Sequence, residues 1–268
     1  MELIERVERA EAELVWSLGH DSGPGSAVLG MTRRRFGSVV AVAAPRDTLS
    51  FWSQAAGFGL DGPVTSAVIG EVLDYFKAAG CTTAKLHIAP SLLPSDWDEI
   101  ATSYGITPGP TDVQVVRRAE PVEQAVTDFH IEQIGSRHAD QWAQLQVDAY
   151  RMDDDGFRTM LAAYPDWPGM TAYAAWDGDT MVGTASLHVV DGVGRLRSGA
   201  TRPEYRGRGA QSALLTRRIA DAFAQGCDLV TTGSFKPEPG GHNPSLANML
   251  RQGFEILTDR TPQIWRLP

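Results

Sequence analysis

Ala200-Thr-Arg-Pro-Glu-Tyr-Arg-Gly-Arg-Gly-Ala-Gln-Ser-Ala-Leu-Leu215 leads from a strand-like segment, through a turn, into a helical pattern. At its centre, Arg206-Gly207-Arg208-Gly209-Ala210 puts two glycines where the chain must turn sharply and approach a ligand closely. Successive backbone N–H groups in such a turn converge into an anion-binding concavity. The helix behind it adds the positive end of its dipole, and Arg206 and Arg208 add full charges. A diphosphate suits this arrangement, the plainer alternative being a basic turn on the surface. Two other nucleotide loops fail on specifics. A Rossmann fingerprint needs a third glycine where Ser212 stands, and the strand from Leu229 brings no acid for a ribose. A P-loop needs Gly-Lys-Ser/Thr, and no lysine lies nearby.

Working outward, residues 211–225 are helical through Leu214, Leu215, Ile219, Ala222 and Phe223, and a strand follows from Leu229. Upstream, residues 129–134 alternate as a first strand, and 137–150 follow as a helix with Trp142, Leu145 and Ala149 on one side. Residues 170–176 and 180–188 read as strands flanking Asp177-Gly178-Asp179, a strong hairpin signal. Residues 195–201 make a fourth strand. The order β-α-β-β-β-α-β-α-β is that of a mixed α/β sheet.

The segment Arg-x-x-Gly at 206–209, between a strand and a helix carrying Ala213-Leu-Leu, resembles the acyl-CoA motif of the GNAT (N-acetyltransferase) superfamily. That motif ends in Gly or Ala, and here Gln211 takes the place. The family's later motif, an Asn before a short helix ending in Gly-Phe, is similar to Asn243-Pro-Ser-Leu-Ala-Asn248-Met-Leu-Arg-Gln-Gly-Phe254. Asn243 as N-cap with Pro244 at the first helical position also makes sense as pure structure. The resemblance implies acetyl-CoA, or another acyl-CoA, as co-substrate. Its diphosphate would meet Arg206, Gly207, Arg208, Gly209, Ala210, Gln211 and Ser212, with Asn243 and Asn248 completing the cofactor site. The fourth strand would be splayed from the fifth, so that the backbone of Gly199, Ala200 and Thr201 pairs with the pantetheine arm like an added strand.

The first half echoes this layout. A helix over residues 65–79, with Val68, Ile69, Val72, Leu73 and Phe76 on one face, ends at Gly80-Cys81 and enters a strand from Ala84. The second helix ends the same way, at Gly226-Cys227. Each half then has a short helix ending in Gly plus an apolar residue, Gly105-Ile106 and Gly253-Phe254. Each closes with a strand reaching an arginine, Val115-Val-Arg117 and Ile264-Trp-Arg266. The landmarks keep one order and nearly one offset, which points to duplication, with convergent α/β alternation as the rival. Residues 119–128 lack periodicity and read as a linker. The expected domains are therefore a degenerate GNAT-like unit over 1–122 and an acyl-CoA-binding unit over 123–268. In the first, Phe58-Gly-Leu-Asp-Gly-Pro-Val64 has no arginine, and Pro63 removes a donor.

Composition narrows the classes. A net charge of −9 argues against nucleic acid and is compatible with a cationic small-molecule amine as acceptor. No apolar run approaches the ~18 residues of a membrane span, and the start, Met1-Glu-Leu-Ile-Glu-Arg-Val-Glu-Arg-Ala10, reads as a charged amphipathic helix, so a cytoplasmic location is expected. The two cysteines stand alone and give no metal spacing.

What the resemblance implies is transfer of an acetyl group to an amine by direct attack in a ternary complex. Relatives supply a tyrosine four residues before the last helix's glycine to protonate the departing thiolate, and Met249 stands there. His188, His242 and Ser245 are the candidates for moving protons, beside the reading that each is structural or merely exposed. Ser234 could also hold a water. The run Asp153-Asp154-Asp155 could meet a cationic amine or could simply start a helix, since acids favour that end. A non-catalytic acyl-CoA-binding protein, or transfer to a hydroxyl or thiol, are the alternatives.

Overall fold

The computed structural model describes residues 3–19 and 24–267. Helices α1 (Leu3–Leu18) and α2 (Pro24–Leu29) lead to strands β1 (Thr32–Phe36), β2 (Val39–Ala43) and β3 (Gln54–Ala56). Then come α3 (Ser66–Ala78), β4 (Thr83–Leu86), α4 (Trp97–Tyr104), β5 (Ile106–Pro108) and β6 (Asp112–Arg118). Beyond the linker lie β7 (His130–Ile134), α5 (Ala139–Tyr150), α6 (Asp155–Ala162), β8 (Met170–Asp177), β9 (Thr180–Val190) and β10 (Val193–Thr201). The chain ends with α7 (Ala210–Ala224), β11 (Leu229–Phe235), α8 (Pro244–Arg251), β12 (Glu255–Arg260) and β13 (Gln263–Arg266). Among the described residues no helix is long and apolar enough to cross a membrane. Met1 and Glu2 of the expected N-terminal helix fall outside the described residues.

The strands form two mixed sheets, of order β1-β2-β3-β4-β13-β5 and β12-β6-β11-β10-β9-β8-β7. The chain has two compact units, one of Met1–Gln114, Gly233–Asn243 and Leu257–Pro268, the other of Val115–Thr232 and Pro244–Ile256. The expectation that each half closes its own sheet is corrected here. Val115-Val-Arg117 lies in the second sheet, between β12 and β11, and Ile264-Trp-Arg266 lies in the first, between β4 and β5. The exchange is reciprocal, each closing strand taking the same place in the other sheet. Its cause is pairing partners, which alternation within a strand does not encode. β13 runs antiparallel to both neighbours, with Ile264 opposite Lys85 and Thr107.

In the first unit, Ile69, Val72, Leu73 and Phe76 of α3 pack with Ala41, Leu86, Ile100 and Trp265 in one core. Thr65 caps α3 by accepting from the Val68 N–H, at 3.3 Å. α1 is longer than its charged start suggests, and two of its acids face inward. Glu8 and Glu11 are each 2% exposed, and the Arg260 guanidinium donates to them at 3.0 and 3.3 Å. Arg260→Ala would strand two buried carboxylates. Breaking a buried pair in this way costs roughly 3–5 kcal/mol, so thermal unfolding followed by circular dichroism should show Tm lowered by at least ~6 °C.

In the second unit, β8 and β9 form the expected hairpin, with Gly178 at φ +58 in its turn. α5 buries Trp142 and Leu145, and the Trp142 indole donates to the Tyr173 carbonyl at 2.9 Å. The acidic run does start a helix, since Asp154 caps α6 by accepting from the Phe157 N–H at 2.8 Å. The linker has no regular structure but is tied to α7, where the Ala125 N–H donates to Thr216 Oγ1.

Candidate active site

Two features of the second unit meet where β10 ends. The first is a parting of strands. β10 pairs with β11 in parallel only over Val193–Arg195, opposite Leu229, Val230 and Thr231. One residue on, Thr232 Oγ1 donates to the Leu196 carbonyl at 2.9 Å, and beyond it β10 keeps ladder pairing with β9 alone. Pairing with β9 is itself interrupted between Arg197 and Ala200, and Ser198 sits at φ +57, a region that non-glycine residues seldom enter. Gly199 faces open space, with nothing within 4 Å of where a Cβ would lie.

The second is the turn into α7. Gly207 and Gly209 have φ of +77 and +87, which explains why both positions carry glycine. Space around Gly207 is open, whereas a Cβ on Gly209 would come within 2.9 Å of the Val126 carbonyl. Gly209 is the N-cap of α7 and has no side chain to cap it, so the first-turn N–H groups are not answered from the cap position. In the first unit the corresponding helix end is closed by Thr65.

The two loop arginines behave differently. Arg206 is exposed, its Nε reaching the Thr201 carbonyl at 3.3 Å. Arg208 Nη1 lies 3.1 Å from Asp177 Oδ2, and its guanidinium stacks 4.4 Å over the Phe129 ring. Its charge is thus partly answered within the protein. Gln211 and Ser212, in the first turn of α7, bind α8 side chains: Gln211 Nε2 to Ser245 Oγ at 3.0 Å, and Ser212 Oγ to Asn248 Oδ1 at 2.8 Å. The Gln211 side chain therefore turns onto α8. Asn243 donates to Ser234 Oγ and the Phe235 carbonyl, at 2.9 and 2.7 Å, just ahead of Pro244 where α8 begins.

The catalytic candidates are not gathered together. His188 is 4% exposed, opposite Arg195, where β10 is still paired with β11. His242 is exposed ahead of α8, and Met249 is buried in that helix. Ser245 is brought to the turn by Gln211.

Three further residues at the parting escaped the sequence reading. Arg218 of α7, 5% exposed, donates to the Ser186 and Arg197 carbonyls at 3.2 and 3.1 Å. Burial pushes its guanidinium down to about 10, still charged at neutral pH. Thr184 Oγ1 donates to the Ser198 carbonyl, and the Tyr150 hydroxyl to that of Gly199, both at 3.1 Å. Arg218 alone left a signal: it follows Leu214 by one helical turn, a cation on an apolar stripe. Nearby, burial and the Asp221 carboxylate, which accepts from the Tyr173 hydroxyl at 2.8 Å, push that phenol well above its ordinary range.

Residues 139–254 match the family model described as the acetyltransferase (GNAT) family. The whole chain is similar in fold to a GCN5-related N-acetyltransferase from Kribbella flavida, at 17% identity and TM-score 0.67, over 99% of this chain and 96% of that one. A tandem GNAT protein from the clavulanic acid biosynthesis pathway is similar at 15% identity and TM-score 0.60, over 96% and 95% of the two chains. A GCN5-related N-acetyltransferase from Sphaerobacter thermophilus is similar at 15% identity and TM-score 0.58, over 97% and 91%. No curated protein sequence matches the chain.

Proposed function

We propose that the protein moves an acetyl group from acetyl-CoA to the amine of a small molecule, a reading supported by the match of residues 139–254 to the acetyltransferase (GNAT) family model and by the likeness in fold of the whole chain to a tandem GNAT protein. The observation that carries this is the parting of β10 from β11 beside the uncapped start of α7. A diphosphate would take the α7 N–H groups, the turn at Gly207 and Gly209, and the Arg206 charge. The backbone of Gly199, Ala200 and Thr201 would receive the pantetheine arm along the edge that β11 leaves.

Acetyl-CoA supplies the activated thioester. In this reading the backbone N–H groups of the interrupted segment bind its carbonyl oxygen and stabilise the negative charge that builds there, worth about 3 kcal/mol in comparable sites. The amine nitrogen bonds to the acyl carbon, the carbon–sulfur bond breaks, and the proton lost by nitrogen ends on the CoA sulfur. His188, His242 and Ser245 remain the groups proposed to move protons. Ser245 is the one held against the α7 start. A cytoplasmic location and a small-molecule acceptor belong to the same proposal.

Met249 favours a second reading, a protein that binds acyl-CoA without turnover, because a thioether cannot protonate a thiolate. One experiment tests both. Calorimetry with acetyl-CoA should give saturable binding, and a panel of amines, alcohols and thiols should include one that releases CoA thiol, with the product identified by mass spectrometry. Binding without release across the panel selects the second reading, and no binding removes both. Cys81 and Cys227 will interfere little with a thiol reagent, since both are buried and burial raises their pKa.

A further inference from the structure

The break in pairing between β9 and β10 falls after Arg197, which is still opposite Ser186, and leaves Ser198 and Gly199 without ladder partners. A main-chain carbonyl out of its ladder still needs a donor, and around this break the carbonyls of Arg197, Ser198 and Gly199 each accept from a side chain on a different element. Arg218 of α7 reaches the first, Thr184 of β9 the second and Tyr150 of α5 the third, all at 3.1 Å. Thr184 is fully buried, and Arg218 brings a charged donor, which strengthens its bonds. Ser198 at φ +57 stores backbone strain, which persists only where the surroundings over-determine the backbone.

A trans peptide is planar, with its C=O and N–H pointing in opposite directions. Holding the carbonyls of 197, 198 and 199 therefore aims the N–H groups of Ser198, Gly199 and Ala200. We infer that Arg218, Thr184 and Tyr150 are positioning residues for acyl transfer, holding three carbonyls so that the N–H groups of Ser198 and Gly199 point at the acyl oxygen while that of Ala200 returns to the β9 ladder. The inference rests on the proposed acetyl-CoA site. It adds three side chains that touch neither substrate and act through the backbone.

The test reads carbonyl polarisation directly and needs no acceptor. Acetyl-CoA labelled with carbon-13 at the acyl carbonyl is bound to the protein, and its thioester band is followed by infrared difference spectroscopy, with affinity from calorimetry. Wild type should shift the band to lower frequency. Thr184→Val, which keeps the shape and loses the hydroxyl, and Tyr150→Phe should each lose at least half of that shift, with Kd changed less than threefold. Thr184→Ser should retain it, which a role in packing alone would not produce. Arg218→Met should lose the most, and if it fails to fold, the Thr184 pair still decides. A wild-type shift kept in Thr184→Val and Tyr150→Phe overturns the inference, as does acetyl-CoA bound to wild type with no shift; in both cases the cofactor site stands. Absence of binding to wild type removes the cofactor site and the inference together.

Discussion

Gly209→Asp is expected to abolish measurable acetyl-CoA binding, a loss of at least ~100-fold, or roughly 2.7 kcal/mol, in calorimetry. Three effects act in one direction. At φ +87 any side chain is strained, at a cost of about 1–2 kcal/mol. The new Cβ would press within 2.9 Å of the Val126 carbonyl, so the turn must shift. A carboxylate would also lie at the α7 start, competing for the N–H groups and repelling a diphosphate. The same carboxylate interacts favourably with the positive end of the α7 dipole, which offsets part of the strain on folding. Affinity should thus suffer far more than Tm. Gly209→Ala separates the causes, because it brings the Cβ without the charge and should weaken binding by only ~10-fold. Wild-type affinity in Gly209→Asp would take this turn out of the site.

A chain cut after Val122 is expected not to fold, although it holds every element of the first half in sequence. It lacks β13, which lies between β4 and β5 and pairs with both. Trp265, 1% exposed in the core of that unit, goes with it, and so does Arg260, the partner of Glu8 and Glu11. Emptying a buried tryptophan site alone costs about 3–5 kcal/mol, against a total stability of ~5–15 kcal/mol for a domain. The two stranded carboxylates add a similar amount. Amide proton spectra of this fragment should be collapsed and its near-ultraviolet dichroism flat. Appending residues 257–268 through a flexible linker should restore dispersion. A well-dispersed spectrum without them would mean that β13 is dispensable.

What could be read from the chain was what local pattern encodes. The face of Val72, Leu73 and Phe76 located α3 and the hairpin around Gly178 located β8 and β9, because periodicity and turn chemistry are properties of adjacent residues. Val39–Ala43 is apolar and buried at every position, so it has no period to read. Next to it, β1 is an edge strand whose run Arg33-Arg34-Arg35 resembles loop sequence, as charged edges do. The exchange of β6 and β13 was illegible for a different reason: both strands carry the right pattern, and the pattern names no partner. At the site, the turn at Gly207 and Gly209 was legible from glycine spacing. The pairing of Arg208 with Asp177 and Phe129 was not, since both partners come from chain far away. Tyr150 and Thr184 leave no mark in sequence, because each binds a backbone carbonyl and any donor of the right reach would do.

The placement of β13 also bears on how the protein is made. Arg266 Nη1 donates to Thr107 Oγ1 across 159 positions of chain. At ~5–20 residues per second, the ribosome would take on the order of ten seconds or more to supply β13 after β5. Until then a nascent chain carries β4 and β5 with a gap between them, a template for pairing with the wrong molecule. Vectorial folding, first domain before second, is therefore closed to this protein. Its first unit is completed only once β13 has been made, and conditions that slow translation or remove chaperones should cut soluble yield before they affect the finished protein.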